Sequence, residues 1–179
     1  MEEAARLAAL VARVIAIKVE LDTLDADEAD APRVRPHPPA SYERLAQVRR
    51  AFEARGFAMP RELEWLLRLH DGIDHLWCTP SGSLTLFSHH GLLGAWAPVP
   101  IAEARDGVVI AASDSGDAVC LAPAPVLALV LGDPRGRVVA RFASVTAWLE
   151  WVLRASSDER ADRTAGGRRR ARWPAPIAS

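Results

Sequence analysis

The stretch Val108–Leu153, VVIAASDSGDAVCLAPAPVLALVLGDPRGRVVARFASVTAWLEWVL, changes its period part-way along. Residues 107–112, 118–122, 126–131 and 137–142 are short β-rich runs. Ser113-Asp-Ser-Gly-Asp117 and Gly132-Asp-Pro-Arg-Gly136 lie between them as turns. Asp-Pro-x-Gly suits a type I turn, because proline presets φ at the second position and glycine is favoured at the fourth. This spacing predicts four antiparallel strands in a meander. From Val145 the period becomes helical: Trp148, Leu149, Val152 and Leu153 follow at i+3, i+4, i+7 and i+8, and Ser144 is a suitable N-cap. That helix is expected to lie across the sheet.

Upstream, the helical period comes first. Leu7, Leu10, Val11, Val14, Ile17 and Leu21 recur at spacings of three and four, predicting an amphipathic helix over 2–22. Glu2 and Glu3 suit its N-terminus, where the helix dipole favours negative charge. A second helix starts at Ser41 as N-cap, with Tyr42, Leu45, Val48 and Phe52 as its buried stripe and Gly56 as its stop. Pro60 opens a third at its first position. Leu63, Leu66, Leu67 and His70 line one face of it, Trp65 and Leu69 flank that face, and Gly72 ends it. Residues 83–87 and 99–101 read as further short strands. Helices, then strands, then one helix argue for an α+β fold with a single antiparallel or mixed sheet, not a βαβ alternation.

The organisation follows from composition. Residues 20–30 carry six acids and no base, and Pro32, Pro36, Pro38 and Pro39 follow. Such a stretch favours extended, solvated backbone, so 23–40 reads as a linker between an N-terminal amphipathic helix (1–22) and an α+β domain (41–155). Residues 156–179 are polar and end in an Arg-rich run, Arg168, Arg169, Arg170 and Arg172 with Trp173, and read as a disordered tail.

Charge and cysteine content narrow the function classes. The chain has 179 residues and a formal net charge of −1, with 22 basic and 23 acidic residues. That balance does not fit a strongly basic nucleic-acid binder. There are 33 alanines, 21 arginines, one lysine (Lys18) and no asparagine, the signature of a GC-rich, bacterial genome. Arginine enrichment therefore carries little meaning by itself. Cys78 and Cys120 form no CxxC pair, so neither a disulfide framework nor a zinc ribbon is indicated. Acidic residues stand where a signal peptide needs positive charge, and no run approaches the roughly 18 apolar residues of a membrane span. The reading is a cytoplasmic protein that neither spans membrane nor reads nucleic acid specifically.

The residues that carry chemistry do not assemble into a known catalytic pattern. His70, His75, Cys78, His89 and His90 cluster in sequence, but their spacing is neither a helical i, i+4 ligand pair nor a zinc finger. His70-Asp71 is a pair that metal-dependent phosphohydrolases use, yet that chemistry needs further His and Asp on neighbouring helices. Cys120 sits within a strand without a basic neighbour to activate it. No Gly-x-Ser-x-Gly elbow, P-loop or Gly-x-Gly-x-x-Gly occurs. Neither a metal nor a cofactor is expected, nor is catalysis.

The stretch Val48–Ile73, VRRAFEARGFAMPRELEWLLRLHDGI, carries Phe52-Glu53, Gly56, Met59-Pro60, Trp65, Leu66 and Asp71-Gly72 in an order that resembles the opening of the Smi/Knr-type family, the SUKH superfamily. Met59 stands where leucine is commoner. The strand–turn–strand of 108–123 and the closing hairpin with its Trp-Leu helix resemble the family's second half, so the likeness covers about 41–153. It implies an α+β fold with packed helices, in which Glu53, Gly56, Pro60, Gly72 and Trp148 are structural. It also implies a non-catalytic binding role without a cofactor. Many bacterial relatives are immunity proteins that neutralise a cognate toxin, and fungal relatives are regulatory adaptors in cell-wall signalling.

The expected partner is therefore a protein, a toxin domain such as a basic nuclease. The alternative is an endogenous complex on which the chain docks as an adaptor through its first helix. Turn aspartates and loop aromatics are the expected contacts: Asp71, Asp74, His75, Trp77, His89, His90, Trp96, Asp114 and Asp117. Trp65 and Trp151, which point off their helical stripes, are further candidates. Within 41–155 there are 12 acids and 11 bases, so any acidic rim depends on how these turns gather in space.

Overall fold

Leu7, Leu10, Val11, Val14 and Leu21 are all buried along one stripe of helix α1 (Glu2–Leu24). In the computed structural model, which describes residues 2–24, 33–78, 83–94, 108–113, 115–121, 127–130 and 138–166, that stripe packs against α3 (Arg61–Leu69) and α5 (Val145–Thr164) of the same chain. The apolar face of the first helix is thus part of the core and not a free docking surface. α1 and α5 run in the same direction. Arg6 pairs with Glu150 at 2.7 Å, and fourteen residues on Glu20 pairs with Arg160 at 2.8 Å.

The fold is α+β. β1 (Arg35–Pro36), β2 (Ile73–Cys78), β3 (Ser83–Leu86), β4 (Val108–Ser113), β5 (Ala118–Leu121), β6 (Leu127–Val130) and β7 (Val138–Phe142) form one sheet in chain order. Each neighbouring pair is antiparallel, so the expected four-strand meander is present as β4 to β7. Leu84 and Leu86 are buried while Ser83 and Thr85 are only half-buried, the alternation of a strand with one face on the core. Trp148, Leu149, Val152 and Leu153 of α5 join the same core, which also holds Phe52 of α2 (Tyr42–Glu53) and Leu92 of the short α4 (His89–Gly94).

Two boundaries differ from the sequence reading. The expected linker is partly built into the fold: β1 lies on the sheet edge, the His37 N–H donates to the Gly72 carbonyl, and that of Ala40 to Leu67. Pro36 is tolerated there because an edge strand has one unpaired side. Buried Lys18 forms an ion pair with Asp22 one turn on, and Asp22 also accepts the Val34 N–H at 2.8 Å, tying the end of α1 to the start of β1. At the other end, α5 continues to Thr164 and buries Ser156, so 156–164 is helix and not tail. Residues 25–32, the strand expected at 99–101, and the Arg-rich run with Trp173 lie outside the described residues.

Local chemistry explains the helix ends. Ser41 and Ser144 cap α2 and α5, accepting from the N–H groups of Arg44 at 3.3 Å and Ala147 at 3.1 Å. Glu62 of α3 adds a second cap to α5, accepting from the Val145 N–H at 2.8 Å and the Thr146 hydroxyl at 2.6 Å. Pro60 is the N-cap of α3, one position earlier than expected. Past α2, Gly56 takes φ +79°, letting the Phe57 N–H return to the Phe52 carbonyl.

Candidate protein-interaction surface

The aspartates and histidines expected to meet a partner mostly hold the fold together. Asp71 follows the end of α3, and its backbone N–H donates to the Pro38 carbonyl. Its carboxylate is buried. Oδ1 accepts from the His89 backbone N–H at 2.7 Å, and Oδ2 lies 2.5 Å from His89 Nδ1. Asp71 therefore caps α4 from another element. Arg44 reaches the same carboxylate at 3.4 Å. Next to it Gly72 has φ +95°, and a Cβ there would sit 2.8 Å from the Ser88 backbone nitrogen, so only glycine fits.

Asp74 is half-buried and bonded to His37 Nε2 at 2.8 Å. His75 is half-buried, with Nδ1 3.0 Å from the Ser83 hydroxyl, and has φ +53°. That unusual backbone coincides with a β-bulge between Ile73 and Trp77, which places both Leu76 and Trp77 in the core. Trp77, expected in a loop, is buried in β2 and meets Trp151 edge-on at 4.8 Å. Trp151 is buried too, against Phe142 at 5.4 Å, so neither tryptophan reaches a partner. Asp117 is buried at the β4–β5 turn, its N–H donating to the Ser113 hydroxyl. His90 is exposed and stacks on His89, ring centroids 3.9 Å apart. Trp96 and Asp114 lie outside the described residues.

The acidic rim is thus not assembled among the described residues: Asp71 and Asp117 are buried, and Asp74 is spent on His37. The residues that the resemblance makes structural are placed as follows. Trp148 is fully buried, Gly56 and Gly72 occupy left-handed turns, and Glu53 closes α2.

The Asp71–His89 pair orients an imidazole as hydrolase dyads do. Here the imidazole is itself buried, and among the described residues no hydroxyl or thiol bonds its other nitrogen. No group of three His, Cys, Asp or Glu among those residues is placed to hold a metal ion. Burial pushes the Cys120 thiol up to about 12, which keeps it protonated and unreactive.

A different surface presents the chemistry of recognition. Tyr42, the chain's single tyrosine, was expected in the core but is 82% exposed. It stands in the first turn of α2, beyond the end of the buried stripe that starts at Leu45. Arg68 of α3 lies over its ring at 5.7 Å. Glu64, one turn earlier, holds Arg68 at 2.5 Å and takes Arg49 of α2 on both oxygens, at 2.5 and 3.1 Å. Burial works against the Glu64 charge, but the hydrogen bonds and charges of Arg49 and Arg68 outweigh it and hold the carboxyl below its ordinary range. Arg61 completes the row, 6.0 Å from the half-buried Trp65.

Tyr42 opposite Arg68 and Arg49 opposite Glu64 mean that α2 and α3 lie antiparallel. Their outer face shows aromatic rings and guanidinium groups fixed by one shared carboxylate. Tyr, Trp and Arg are the side chains that dominate binding hot spots, and side chains already held in place lose less entropy on binding. The sequence signal for this face was available: Arg61, Glu64, Trp65 and Arg68 fall at helical spacing opposite the buried leucines.

No model of a known protein family matches the chain, and no match to a characterised protein is found. Among the described residues no helix is long and apolar enough to cross a membrane.

Proposed function

We propose that the chain is a non-catalytic protein-binding module. On its resemblance to the SUKH superfamily, we further propose that it is an immunity protein that binds and neutralises a cognate bacterial toxin. The observation that carries the binding role is the α2–α3 face, where Tyr42, the most exposed large apolar side chain among the described residues, is clamped beside Arg68. The mechanism would be occlusion of the toxin's active site by an interface of standard size, about 1,600 Å² in total.

The charge on this face bears on the partner. Arg49 and Arg68 share Glu64, Arg49 also feels the charge of Glu53, and Arg61 lies by Trp65, so the face is slightly positive and suits an acidic complement. This replaces the expected complement of acidic turns against a basic nuclease. An adaptor role would use the same face against an endogenous complex. Docking through the apolar stripe of α1 is not supported, because that stripe is inside the fold.

The test is protection. Cells co-expressing the chain and the toxin encoded beside it should grow, and Tyr42→Ala with Arg68→Glu should abolish the rescue while the variant stays folded by circular dichroism. Failure of the unchanged chain to protect, together with no stable partner, overturns the immunity reading.

A further inference from the structure

Residues 33–40, Arg-Val-Arg-Pro-His-Pro-Pro-Ala, run into α2 as a strap that includes β1. Their burial repeats every three residues. Val34 and His37 are half-buried and Ala40 is buried, while Arg33, Arg35, Pro36, Pro38 and Pro39 are exposed. The hydrogen bonds keep the same period. The Val34 N–H donates to Asp22 at 2.8 Å, that of His37 to the Gly72 carbonyl at 3.1 Å and that of Ala40 to the Leu67 carbonyl at 2.8 Å. The His37 ring is bonded to Asp74 as well. A period of three is that of polyproline II, which has three edges and no internal hydrogen bonds. One edge of the strap is fastened to the fold, and the other two face outward.

The outward edges carry a pattern of their own. Arg33, Pro36 and Pro39 follow at i, i+3 and i+6 on one edge, about 9 Å apart per turn, and Arg35 and Pro38 stand on the other. The strap thus shows two dipeptides that each end in proline, Arg35-Pro36 and Pro38-Pro39, with His37 between them turned to the body. Domains that read PxxP segments take such ridges between the aromatic rings of a groove. A guanidinium one turn before the first proline calls for carboxylates beside that groove. We propose that residues 33–39 dock a polyproline-reading domain of the SH3 type, with an aromatic groove and an acidic pocket next to it. Pro36 and Pro39 enter the groove, and Arg33 pairs in the acidic pocket. The three backbone bonds already hold the segment in place, so it loses less entropy on docking than a free segment does. The strap shares no residue with the α2–α3 face, so this inference stands or falls independently of the immunity reading.

The experiment titrates the full chain into an isotope-labelled SH3 domain that has acidic side chains in its specificity pocket. Nuclear magnetic resonance should show the groove resonances of the domain moving saturably. Pro36→Ala with Pro39→Ala should weaken binding about tenfold or more, and Arg33→Glu should weaken it as much. A domain whose acidic pocket is changed to lysine should recover the Arg33→Glu chain. These variants alter exposed side chains and should keep the far-ultraviolet circular dichroism of the unchanged chain. A free peptide of residues 31–41 should bind no more tightly than the folded chain. No saturable binding, binding untouched by the proline pair, or an Arg33→Glu loss that the lysine domain does not restore overturns the proposal. So does a free peptide that binds more tightly than the chain, which would mean that the fold closes the segment off.

Discussion

Asp71 accepts two hydrogen bonds from His89, one from Nδ1 at 2.5 Å and one from the backbone N–H at 2.7 Å. With the carboxylate as acceptor, Nδ1 carries the proton. Both side chains are almost fully shielded from water, and among the described residues their side-chain partners are each other and, for Asp71, Arg44 at the edge. The pair joins the end of α3, the start of α4 and, through the Asp71 N–H, the segment that leads from β1. A charge in such a place serves the fold.

Asp71→Ala is therefore expected to destabilise the protein by about 3 kcal/mol, since it leaves a buried imidazole and a helix N-terminus without their acceptor. Asp71→Asn should cost less, because the amide oxygen still accepts one bond. Urea denaturation measures both. A midpoint unchanged in Asp71→Ala would contradict the structural role.

Two glycines on left-handed backbone should respond differently to the same change. Gly56→Ala meets open space and should cost only the backbone strain, about 1 kcal/mol. Gly72→Ala places a Cβ against the Ser88 and Leu86 backbones and should cost clearly more, about 2–4 kcal/mol. Equal losses in thermal denaturation would mean that the Gly72 turn can open without consequence.

Ser156 is fully buried in α5, and its hydroxyl has no hydrogen-bond partner among the described residues. Ser156→Ala removes an unsatisfied polar group and improves helix propensity, so it should stabilise by about 1 kcal/mol. A loss of stability would show that the hydroxyl is satisfied in solution.

The Cys120 thiol, pushed up to about 12 by burial, should resist alkylation at pH 8 in a Cys78→Ser chain and react once urea unfolds it. The sign of the linked stability change follows. The unfolded thiol loses its proton near 9 and the folded one only near 12, so stability is intact below pH 9 and falls as pH rises between those values. Rapid labelling of the native chain would contradict this burial.

The strongly periodic elements were legible in the chain because their period matches their burial. The leucine and valine stripe of α1, the Trp148 face of α5 and the meander from β4 to β7 all fall where spacing places them. β2 was missed because the bulge and the positive φ of His75 break its alternation. β1 was missed because two residues, one of them a proline, give no strand pattern and are ordered only by their neighbours. The burial of several candidate contacts was hidden from the sequence for a related reason. Aspartate and histidine at helix ends look the same in sequence whether they face solvent or cap another element, and Asp71 and Asp117 turned inward. Tyr42 erred the other way, since a stripe read at helical spacing continues past the point where the core ends.

The most direct measurement is affinity capture of the tagged chain from cells that naturally carry it, run beside the Tyr42→Ala, Arg68→Glu variant and quantified by mass spectrometry. The account expects one stoichiometric protein partner with the unchanged chain, bearing an acidic contact surface, and its loss with the folded variant. No stoichiometric partner, or one retained equally by the variant, would contradict the claim that the α2–α3 face is where this protein acts.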